Sequence, residues 1–370
     1  MDMRIVYVLT SLGMGGAERQ ALAQAQRMAE RGHTVAILVL RSRLDEEWPT
    51  KIDRIYLNMR KTPLSFLKGL AEARRFLREF KPDLLHSHSF HANIVARLLR
   101  VLVPGTVVLS TVHNVYEGGW ARMVAYRLTD FLSSRTTTVC KAAADRFVEL
   151  KAVPQRKCVV LANGIETAEF SPDKARRVRI REQMGVNGSF IWMTAGRVVE
   201  AKDYPNLLRA FARVLAAQPH VELWVAGAST AEETQRVHDM TAIRGLGDSV
   251  RWLGLRRDLS ALLDASDGFV LASAWEGMPL AVGEAMAMEK PVVATDAGGV
   301  RELVGESGVI VPARRPESLA QAMRALMRAT PDARGLLGHA ARERIQSRFS
   351  MDAKADEWEA FYRGMTEPER

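Results

Sequence analysis

Two glutamates, Glu276 and Glu284, stand eight positions apart in the stretch EGMPLAVGE, which begins three residues after the end of the apolar run GFVLAS. Pro279 suits the first position of a helix, whose free N–H groups can bind a phosphate. Glu284 would then lie about 7.5 Å along the helix axis from Pro279, where a carboxylate can accept from both hydroxyls of a ribose. Glu276, before the helix, can accept from the hydroxyls of a sugar. The spacing indicates a sugar-nucleotide site, and a capping acid with a solvated glutamate is the alternative.

Two cations follow another apolar run, in the segment TAGRVVEAKDYPN. Arg197 and Lys202 fall on a predicted loop between a strand and a helix, where they and the helix N-terminus can together hold an anion. Exposed side chains without a ligand are the alternative. After a third run, Gly298 and Gly299 permit close approach of the backbone to a ligand. These segments together predict one crevice that binds phosphate and hydroxyl groups.

The first apolar run ends in a glycine-rich loop, TSLGMGGAERQ, in which Gly15 and Gly16 can present backbone N–H groups to a ligand. A dinucleotide-binding fingerprint would have a third glycine where Glu18 stands and an acid where Arg41 stands. Both are missing, which disfavours NAD. Arg41 and Arg43 leave NADP as an alternative, because arginines can accept a 2′-phosphate, and a plain glycine turn is another.

Three histidines in the segment HSHSFH, His86, His88 and His91, could suggest a metal site. The first two alternate on a predicted strand and the third begins a helix. No cysteine or tight acidic cluster completes a ligand set. We therefore predict no metal and interpret the histidines as residues that line a cleft or an acceptor site.

Strand-like apolar runs alternate with amphipathic helical segments along the chain, which predicts parallel sheets with right-handed crossovers. The pattern restarts near residue 189, after turn residues and charges from 163 to 188 that we interpret as a linker. The predicted fold class is α/β, with two doubly wound Rossmann-like domains that face a cleft. Ligands bind such sheets beyond the carboxyl ends of the strands. The predicted domains are 1–165, 166–350 and a C-terminal helix, 351–370, that packs back on the first domain.

The composition limits the class of protein. The chain has 370 residues, 47% of them hydrophobic, which is enough for ordinary globular cores. Its two cysteines, Cys140 and Cys158, exclude a disulfide framework and indicate a reduced, cytosolic protein. We predict no signal peptide, because a strand-like run begins at once, and no membrane-spanning helix, because charges interrupt the longest apolar stretch.

Positive charge is concentrated in the first half. Residues 1–165 hold 25 Lys and Arg against 14 Asp and Glu, a balance of +11, and the remainder has 27 against 29, a balance of −2. Two predicted helices there are basic and amphipathic, so they can lie among the headgroups of an anionic membrane, or their apolar sides can face the domain's own sheet. The residues concerned are Leu64, Leu67, Leu70, Phe76, Leu77, Phe80, Lys68, Arg74, Arg75 and Arg78 in 63–80, and Trp120, Tyr126, Arg122 and Arg127 in 120–128.

These features resemble the GT-B glycosyltransferases, specifically the large retaining family four, over nearly the whole chain. The E-x7-E motif of that family corresponds to Glu276 and Glu284, and its Arg-x4-Lys pair to Arg197 and Lys202. One departure is the segment EAKD around Lys202, where many members have Glu-Lys-Gly. The resemblance implies an acceptor-binding first domain and a nucleotide-sugar-binding second domain.

Two further segments carry the resemblance. GGAER at 15–19 is similar to the N-terminal loop of the bacterial branch that builds surface polysaccharides and lipid-linked oligosaccharides. NGIE at 163–166 is similar to the interdomain step of the family. His113, in STVHN, resembles the family histidine beside the reacting edge of the donor sugar, although a hydrogen-bonding role in the core is the alternative for a lone histidine.

The resemblance implies roles for the matching residues. Arg197 and Lys202 would neutralise the donor diphosphate as it leaves, Glu284 would hold the ribose, and Glu276 would hold the donor sugar. Further donor-binding residues are predicted to be Gly15, Gly16, Gly277, Met278, Pro279, Leu280 and, bordering the base, Leu255. The residues predicted to line the acceptor side or the cleft are Glu18, Arg19, His88 and Asn114.

The implied activity is that of a hexosyltransferase-type enzyme that transfers a sugar from a nucleotide sugar with retention, by front-face attack. UDP is the common donor nucleotide in this branch, and GDP is the alternative. We expect no cofactor and no metal, because the sequence has no Asp-x-Asp motif and a cation pair with a helix N-terminus can stabilise the leaving diphosphate instead.

The expected acceptor is a glycan, linked to polyprenyl diphosphate, at an anionic membrane surface. The protein would then be cytoplasmic and peripheral at the inner face of the cytoplasmic membrane, with no nucleic-acid partner. Two other functions remain open. One is a sugar-nucleotide epimerase or hydrolase on the same fold, and the other is a non-catalytic polyanion-binding protein that uses the basic half.

Overall fold

The computed structural model describes residues 2–13, 15–41, 52–186, 188–227, 230–243 and 245–366. These residues form two compact units. One contains the chain up to Gly164 together with the segment from Met351 onward, and the other is Ile165–Ser350. None of the described helices combines the length and the hydrophobicity needed to cross a bilayer.

The first unit is built on a seven-stranded sheet. Its strands are β1 (Arg4–Leu9), β2 (Thr34–Val39), β3 (Asp53–Tyr56), β4 (Leu84–His88), β5 (Val107–Val112), β6 (Arg135–Thr138) and β7 (Cys158–Val160). Its helices are α1 (Gly16–Glu30), α2 (Pro63–Phe80), α3 (Phe90–Leu102), α4 (Trp120–Thr129) and α5 (Lys141–Glu149), with 3₁₀ turns at Asp130–Leu132 and Gln155–Lys157. The strand order is β3-β2-β1-β4-β5-β6-β7, and every described pair is parallel.

The second unit is built on a six-stranded parallel sheet. Its strands are β8 (Phe190–Ala195), β9 (Val221–Ala226), β10 (Val250–Gly254), β11 (Gly268–Leu271), β12 (Val292–Thr295) and β13 (Val309–Val311), in the order β10-β9-β8-β11-β12-β13. Its helices are α6 (Lys174–Gln183), α7 (Tyr204–Ala217), α8 (Ala231–Ile243), α9 (Leu259–Ala265), α10 (Leu280–Ala287), α11 (Val300–Val304), α12 (Pro316–Arg328) and α13 (Pro331–Arg348). Short 3₁₀ turns lie at Glu200–Lys202 and Gly247–Ser249.

Both sheets are doubly wound, as predicted, because each reverses its strand order once. The reversal lies between β1 and β4 in the first unit and between β8 and β11 in the second. β1 is buried from Ile5 to Leu9, and such continuous burial is typical of a central strand covered by helices on both faces. The carboxyl ends of the strands at these reversals are the expected ligand sites.

The last helix, α14 (Met351–Thr366), packs on the first unit and confirms that prediction. Trp358 and Tyr362 are buried in one core cluster with Ile5 of β1 and Leu22 of α1. Where the chain enters the second unit, a side chain on Gly164 would come within 2.8 Å of Cα of Met351, so glycine permits this close approach. The apolar side of α14 is therefore a core surface of the first unit.

Three local predictions differ from the structure. The segment interpreted as a linker contains α6, and β3 is a short, partly exposed edge strand that its polar sequence did not reveal. α6 is highly charged because its arginines bind α9: Nη1 of Arg177 donates to three carbonyl oxygens at the end of α9. In α4, Tyr126 is buried whereas Trp120 is exposed, so these two residues, grouped above on one apolar side, lie on different sides of the helix, and Arg122 lies 4.8 Å from the ring of Phe90.

Candidate active site

The loops that follow β8 and β11 lie where the strand order of the second sheet reverses. Gly196 and Gly227 follow the neighbouring strands β8 and β9 with φ of +155° and +156°. A side chain on Gly227 would collide with the carbonyl oxygen of Gly196, and one on Gly196 would lie 3.0 Å from Cε of Lys202. Glycine at 227 therefore permits the close approach of the Gly196 backbone, and glycine at 196 leaves room for Lys202 beside the strand end.

Lys202 and Glu276, predicted to contact different parts of a ligand, form an ion pair with each other. Nζ of Lys202 lies 2.6 Å from Oε1 of Glu276. The same oxygen accepts a hydrogen bond of 2.6 Å from Oγ of Ser273, the residue at the end of the GFVLAS run. Glu276 is 7% exposed, whereas Lys202 is partly exposed. Two donors thus fix the carboxylate, and one ammonium group faces both a carboxylate and solvent.

The loop that carries Lys202 ends in a capped helix. Asp203 adopts a left-handed conformation, with φ of +44°, and its carboxylate accepts from the N–H of Asn206 in α7 at 3.2 Å. An aspartate tolerates this conformation, so the turn forms although many family members have glycine there. Next to it, the hydroxyl of Tyr204 donates to the carbonyl oxygen of Gly196 at 2.9 Å. Burial, and then the charge of Glu276, raise the pKa of Tyr204 above its usual value.

The start of α10 is positioned by backbone contacts. Pro279 has the extended ψ of 110° and precedes the helix as its N-cap, so it does not occupy the first helical position that we predicted. The N–H of Gly299, after β12, donates to the carbonyl oxygen of Gly277 at 2.7 Å and joins two of the predicted glycine segments. The N-cap residue, Pro279, makes no side-chain hydrogen bond to the start of α10. The positive end of its dipole therefore lies directly after the loop that carries Glu276.

The remaining predicted donor residues differ in exposure. Glu284, inside α10, is 3% exposed, which excludes the alternative of a solvated glutamate. Arg197 is exposed, and its side chain makes no hydrogen bond or ion pair with any other residue that the structure describes. Leu255, after β10, is also exposed. Arg197 and Leu255 therefore lie on the surface of the unit, whereas Glu284 lies inside it.

In the first unit, His113 contacts His88. Nε2 of His113 lies 2.9 Å from Nδ1 of His88, the last residue of β4, and their ring centroids are 5.1 Å apart. Burial lowers the pKa of His113 to about 4 and the pKa of His88 well below its usual value. Both rings are therefore neutral at pH 7, and one nitrogen of the pair donates to the other. His88 is buried, so in this unit it supports His113 and presents little surface of its own.

Glu117 was not predicted as a site residue, yet it joins the loop of His113 to α4. Its Oε1 accepts from the backbone N–H of His113 at 3.2 Å, and its Oε2 accepts from the hydroxyl of Tyr126 at 2.7 Å. Burial raises the pKa of Glu117 to about 7, although these two donors act in the opposite direction. Asn114 makes a local turn, in which its Oδ1 accepts from the N–H of Tyr116 at 3.2 Å.

Of the three predicted cleft histidines, His86 and His88 are neighbours, with ring centroids 4.1 Å apart. The ring of His86 is buried and forms two hydrogen bonds inside the first unit: Nδ1 lies 2.6 Å from the hydroxyl of Tyr362, and Nε2 lies 2.7 Å from Oγ1 of Thr111. His91, in contrast, is exposed in the first turn of α3. Throughout the described ranges, no group of three or more His, Cys, Asp or Glu side chains is arranged to hold a metal ion. Metal independence itself stays a prediction.

The glycine-rich loop begins α1. Gly15 is the N-cap, and its carbonyl oxygen accepts from the N–H of Arg19 at 3.0 Å. The carboxylate of Glu18 folds back onto Gly15, where a side chain would collide with it. Gly16 is the first residue of the helix. Arg41 is exposed two residues after the end of β2, and Arg43, the other residue of the NADP alternative, lies outside the described residues.

Several residues around Lys202, Glu276 and His113 could not be recognised as functional from the sequence. Ser273 and Tyr204 belong to ordinary strand and helix patterns, and Glu117 stands alone in a loop. The only available hint was the position of Ser273 at the carboxyl end of a strand beside the E-x7-E stretch.

Two protein-family models match the chain, one in each unit. The model described as "Glycosyltransferase Family 4" matches residues 14–169, and the one described as "Glycosyl transferases group 1" matches residues 189–329. The chain belongs to glycosyltransferase family 4. The predicted fold, GT-B, and the predicted enzyme class, glycosyltransferase, are thereby confirmed.

This glycosyltransferase is similar to several known proteins. It is 25% identical to the UDP-Gal:alpha-D-GlcNAc-diphosphoundecaprenol alpha-1,3-galactosyltransferase of Escherichia coli, over 80% of this chain and 79% of that one. It is 25% identical to the uncharacterized glycosyltransferase MJ1059 of Methanocaldococcus jannaschii, over 65% of this chain and 63% of that protein. Anabaena Alr3699/HepE, solved in complex with UDP and glucose, shares the fold with a TM-score of 0.88 at 20% identity, over 98% of this chain and 100% of that one.

Proposed function

We propose that this glycosyltransferase moves a sugar, with retention, from a UDP-sugar to a glycan carried on a polyprenyl diphosphate. The observation that carries the proposal is the ion pair between Lys202 and Glu276 at the strand reversal of the second unit. It sets a cation suited to a diphosphate beside a carboxylate suited to sugar hydroxyls. The N-terminus of α10 follows directly and adds a second group that favours an anion.

The donor diphosphate gains negative charge as the bond between its oxygen and the anomeric carbon breaks. Lys202, Arg197 and the α10 N-terminus would stabilise that charge, and a stabilising group fixed in advance lowers the barrier. In the front-face reaction that we propose, the acceptor hydroxyl oxygen forms the new bond on the same face. Its proton passes to the departing diphosphate. Glu276 would hold the sugar while this exchange occurs, and no metal ion would be required.

The donor nucleotide is proposed from two observations. Glu284, buried in α10, can accept from the hydroxyls of a ribose, which any nucleoside diphosphate supplies. The fold neighbour HepE was solved with UDP, and the Escherichia coli relative is named for a UDP-sugar. We therefore propose UDP as the donor nucleotide, with GDP as the alternative. The exposed Leu255 would border the base.

The acceptor and the cellular location are proposed together. The Escherichia coli relative is named for a diphosphoundecaprenol-linked acceptor, and residues 1–165 of this chain have a charge balance of +11. A basic first unit suits an acceptor that carries a diphosphate. His113, neutral at pH 7, would contact the donor sugar, and Glu18, Arg19 and Asn114 would lie on the acceptor side. The enzyme would then work as a peripheral protein at the inner face of the cytoplasmic membrane, in surface-polysaccharide or glycoconjugate synthesis.

A panel of UDP- and GDP-hexoses tests the proposal. Each donor is incubated with the full-length enzyme, with and without an α-GlcNAc diphosphate that carries a short alkyl chain. We expect nucleotide release only when both a UDP-hexose and the acceptor are present, and an axial anomeric linkage in the product by NMR. Release of nucleotide without acceptor would support a hydrolase, and interconversion of the free nucleotide sugar would support an epimerase. Either result contradicts the proposed transfer.

A further inference from the structure

We propose that α4 and the 3₁₀ turn after it form a surface that inserts into an anionic lipid bilayer. This surface, the α4 stripe, consists of Trp120, Val124, Leu128 and Phe131. The four residues are spaced four, four and three positions apart and therefore share one face. Their exposed fractions are 79%, 39%, 67% and 74%. Such a row of large, exposed apolar side chains marks an interaction site.

The stripe is not needed for the core of the unit. The core side of α4 carries Met123 and Tyr126, which are buried in a cluster with Val112 of β5 and Phe147 of α5. A helix that only covers its own sheet has one apolar side. α4 has a buried apolar side and an exposed one, so the exposed side is available to a partner.

The exposed charges beside the stripe are positive. Arg127 lies within α4, and Arg135 follows the 3₁₀ turn, and both are exposed. Between residues 90 and 135 the acids are Glu117 and Asp130. Glu117 is bonded to the loop of His113 and to α4, and Asp130 is buried with its Oδ2 3.0 Å from Nζ of Lys157. The face therefore combines apolar side chains with uncompensated arginines, the pattern of a membrane-surface helix.

The neighbouring helices α2 and α3 also expose apolar side chains, and α2 exposes basic ones as well. α3 packs against α4 and also against α2, and it exposes Val101 near its C-terminus. α2 exposes apolar residues and Lys68 in its first two turns, and arginines beyond them. These exposed residues of α2 are Leu64, Leu67, Lys68, Arg74, Arg75 and Arg78. Three neighbouring helices thus offer apolar and basic groups together.

The positive charge of this surface favours an anionic bilayer over a second copy of the chain as its partner. A second copy of the chain, joined by a two-fold axis, would bring the arginines beside one α4 stripe towards those beside the other, and residues 90–135 offer no exposed acid to pair them. Anionic headgroups supply the missing charge, and tryptophan is enriched at the boundary between headgroups and acyl chains. The inference deepens the proposed function, because a lipid-linked acceptor lies at such a boundary, but the stripe is a different surface from the donor site.

Sedimentation with vesicles tests the surface without any acceptor. The full-length protein is mixed with sucrose-loaded vesicles of pure phosphatidylcholine, or of phosphatidylcholine with one third phosphatidylglycerol. We expect binding to the anionic vesicles that weakens as salt rises. The double variant Leu128→Gln/Phe131→Gln should lose at least tenfold in apparent affinity, and Arg74→Glu/Arg75→Glu/Arg78→Glu should weaken binding further at low salt. The matched control is Leu336→Gln, which changes an equally exposed leucine of α13.

Equal loss in Leu336→Gln, unchanged binding of the double variant, or equal binding to both kinds of vesicle would overturn the proposal. A wild-type dimer in light scattering that the double variant converts to a monomer would assign the stripe to a second copy instead. Thermal unfolding and UDP binding of each variant check that the fold is intact. Transfer to the short-chain acceptor is measured in parallel and should be retained, so failure of the membrane surface is separable from failure of the transferase reaction.

Discussion

The ammonium of Lys202 and the carboxylate of Glu276 lie 2.6 Å apart, although 74 residues separate them in the chain. The pair connects the loop after β8 to the loop after β11, across the strand reversal of the second sheet. The cation proposed for the diphosphate and the acid proposed for the sugar are therefore electrostatically coupled. A change at one residue is expected to alter the charge environment of the other.

Glu276→Gln should abolish most turnover while UDP binding remains. The amide keeps the shape of the side chain but cannot accept from sugar hydroxyls as a carboxylate does, and it releases Lys202 from its ion pair. We expect kcat to fall on the order of 10²–10³-fold and the Kd of UDP to stay unchanged or decrease. Calorimetry with UDP and steady-state kinetics measure the two effects. Glu182→Gln, at an exposed position of α6, is the control, and equal loss of UDP affinity and turnover in Glu276→Gln would contradict the assigned role.

Lys202→Ala and Arg197→Ala should each lower kcat, with a larger effect at Lys202. Both variants remove a cation proposed to stabilise the leaving diphosphate, and loss of one such group typically costs on the order of 10²–10³-fold. Lys202→Ala also leaves Glu276 buried without its cation, so we expect weaker binding of UDP as well. Arg209→Ala, at an exposed position of α7, should retain full activity. Full activity of Lys202→Ala would remove the cation from the mechanism.

Transfer should persist after treatment with EDTA. The proposed site stabilises the diphosphate with Lys202, Arg197 and the N-terminus of α10, and it assigns no step to a divalent ion. The measurement is the initial rate after dialysis against chelator, compared with the rate after addition of magnesium or manganese. A rate that disappears with EDTA and returns with either ion would show that the site description is wrong.

Glu117→Gln should change the pH dependence of stability. The pKa of Glu117 is raised from 4.5 to about 7 by burial, so its contribution to the free energy of unfolding is fully present below pH 4.5 and is lost as pH rises to about 7. His113 acts in the opposite direction: its pKa falls from 6.5 to about 4, so its contribution is present above pH 6.5 and is lost as pH falls. The His113 contribution is expected to cancel when wild type and Glu117→Gln are compared.

Urea denaturation between pH 4.5 and 7.5 measures this difference. We expect the wild type to exceed Glu117→Gln in free energy of unfolding by the largest amount near pH 4.5, and the gap to narrow towards pH 7. Glu149→Gln, at an exposed position of α5, should show no such trend. A gap that is independent of pH, or that widens as pH rises, would contradict the raised pKa.

Tyr362→Phe should destabilise the first unit. The hydroxyl of Tyr362 lies 2.6 Å from Nδ1 of His86 and 3.1 Å from the hydroxyl of Tyr7, and all three side chains are buried. Its removal leaves buried polar groups without a partner, which costs about 1–3 kcal/mol. Chemical denaturation measures the loss. Tyr56→Phe is the control, since no described residue bonds to that hydroxyl; equal stability of Tyr362→Phe and wild type would show that the hydroxyl contributes nothing.

The architecture followed from local sequence patterns. The helix predicted over 63–80 is α2, Pro63–Phe80, and the apolar run GFVLAS contains the strand β11, Gly268–Leu271. The helix start at Pro63 and the alternation of buried strands with amphipathic helices depend on neighbouring residues alone, so local sequence patterns predict them. The resemblance of short motifs then identified the GT-B fold and the enzyme class, which the family models confirmed.

Only the tertiary structure decided which groups contact each other. Sequence could place Lys202 and Glu276 on two loops, but their ion pair depends on the adjacency of β8 and β11, which is a property of strand order. The raised pKa of Glu117 depends on burial beside Tyr126, and burial is set by packing rather than by composition. α4 has apolar residues on two sides, so periodicity alone could not determine that Tyr126 faces the core and Trp120 faces solvent.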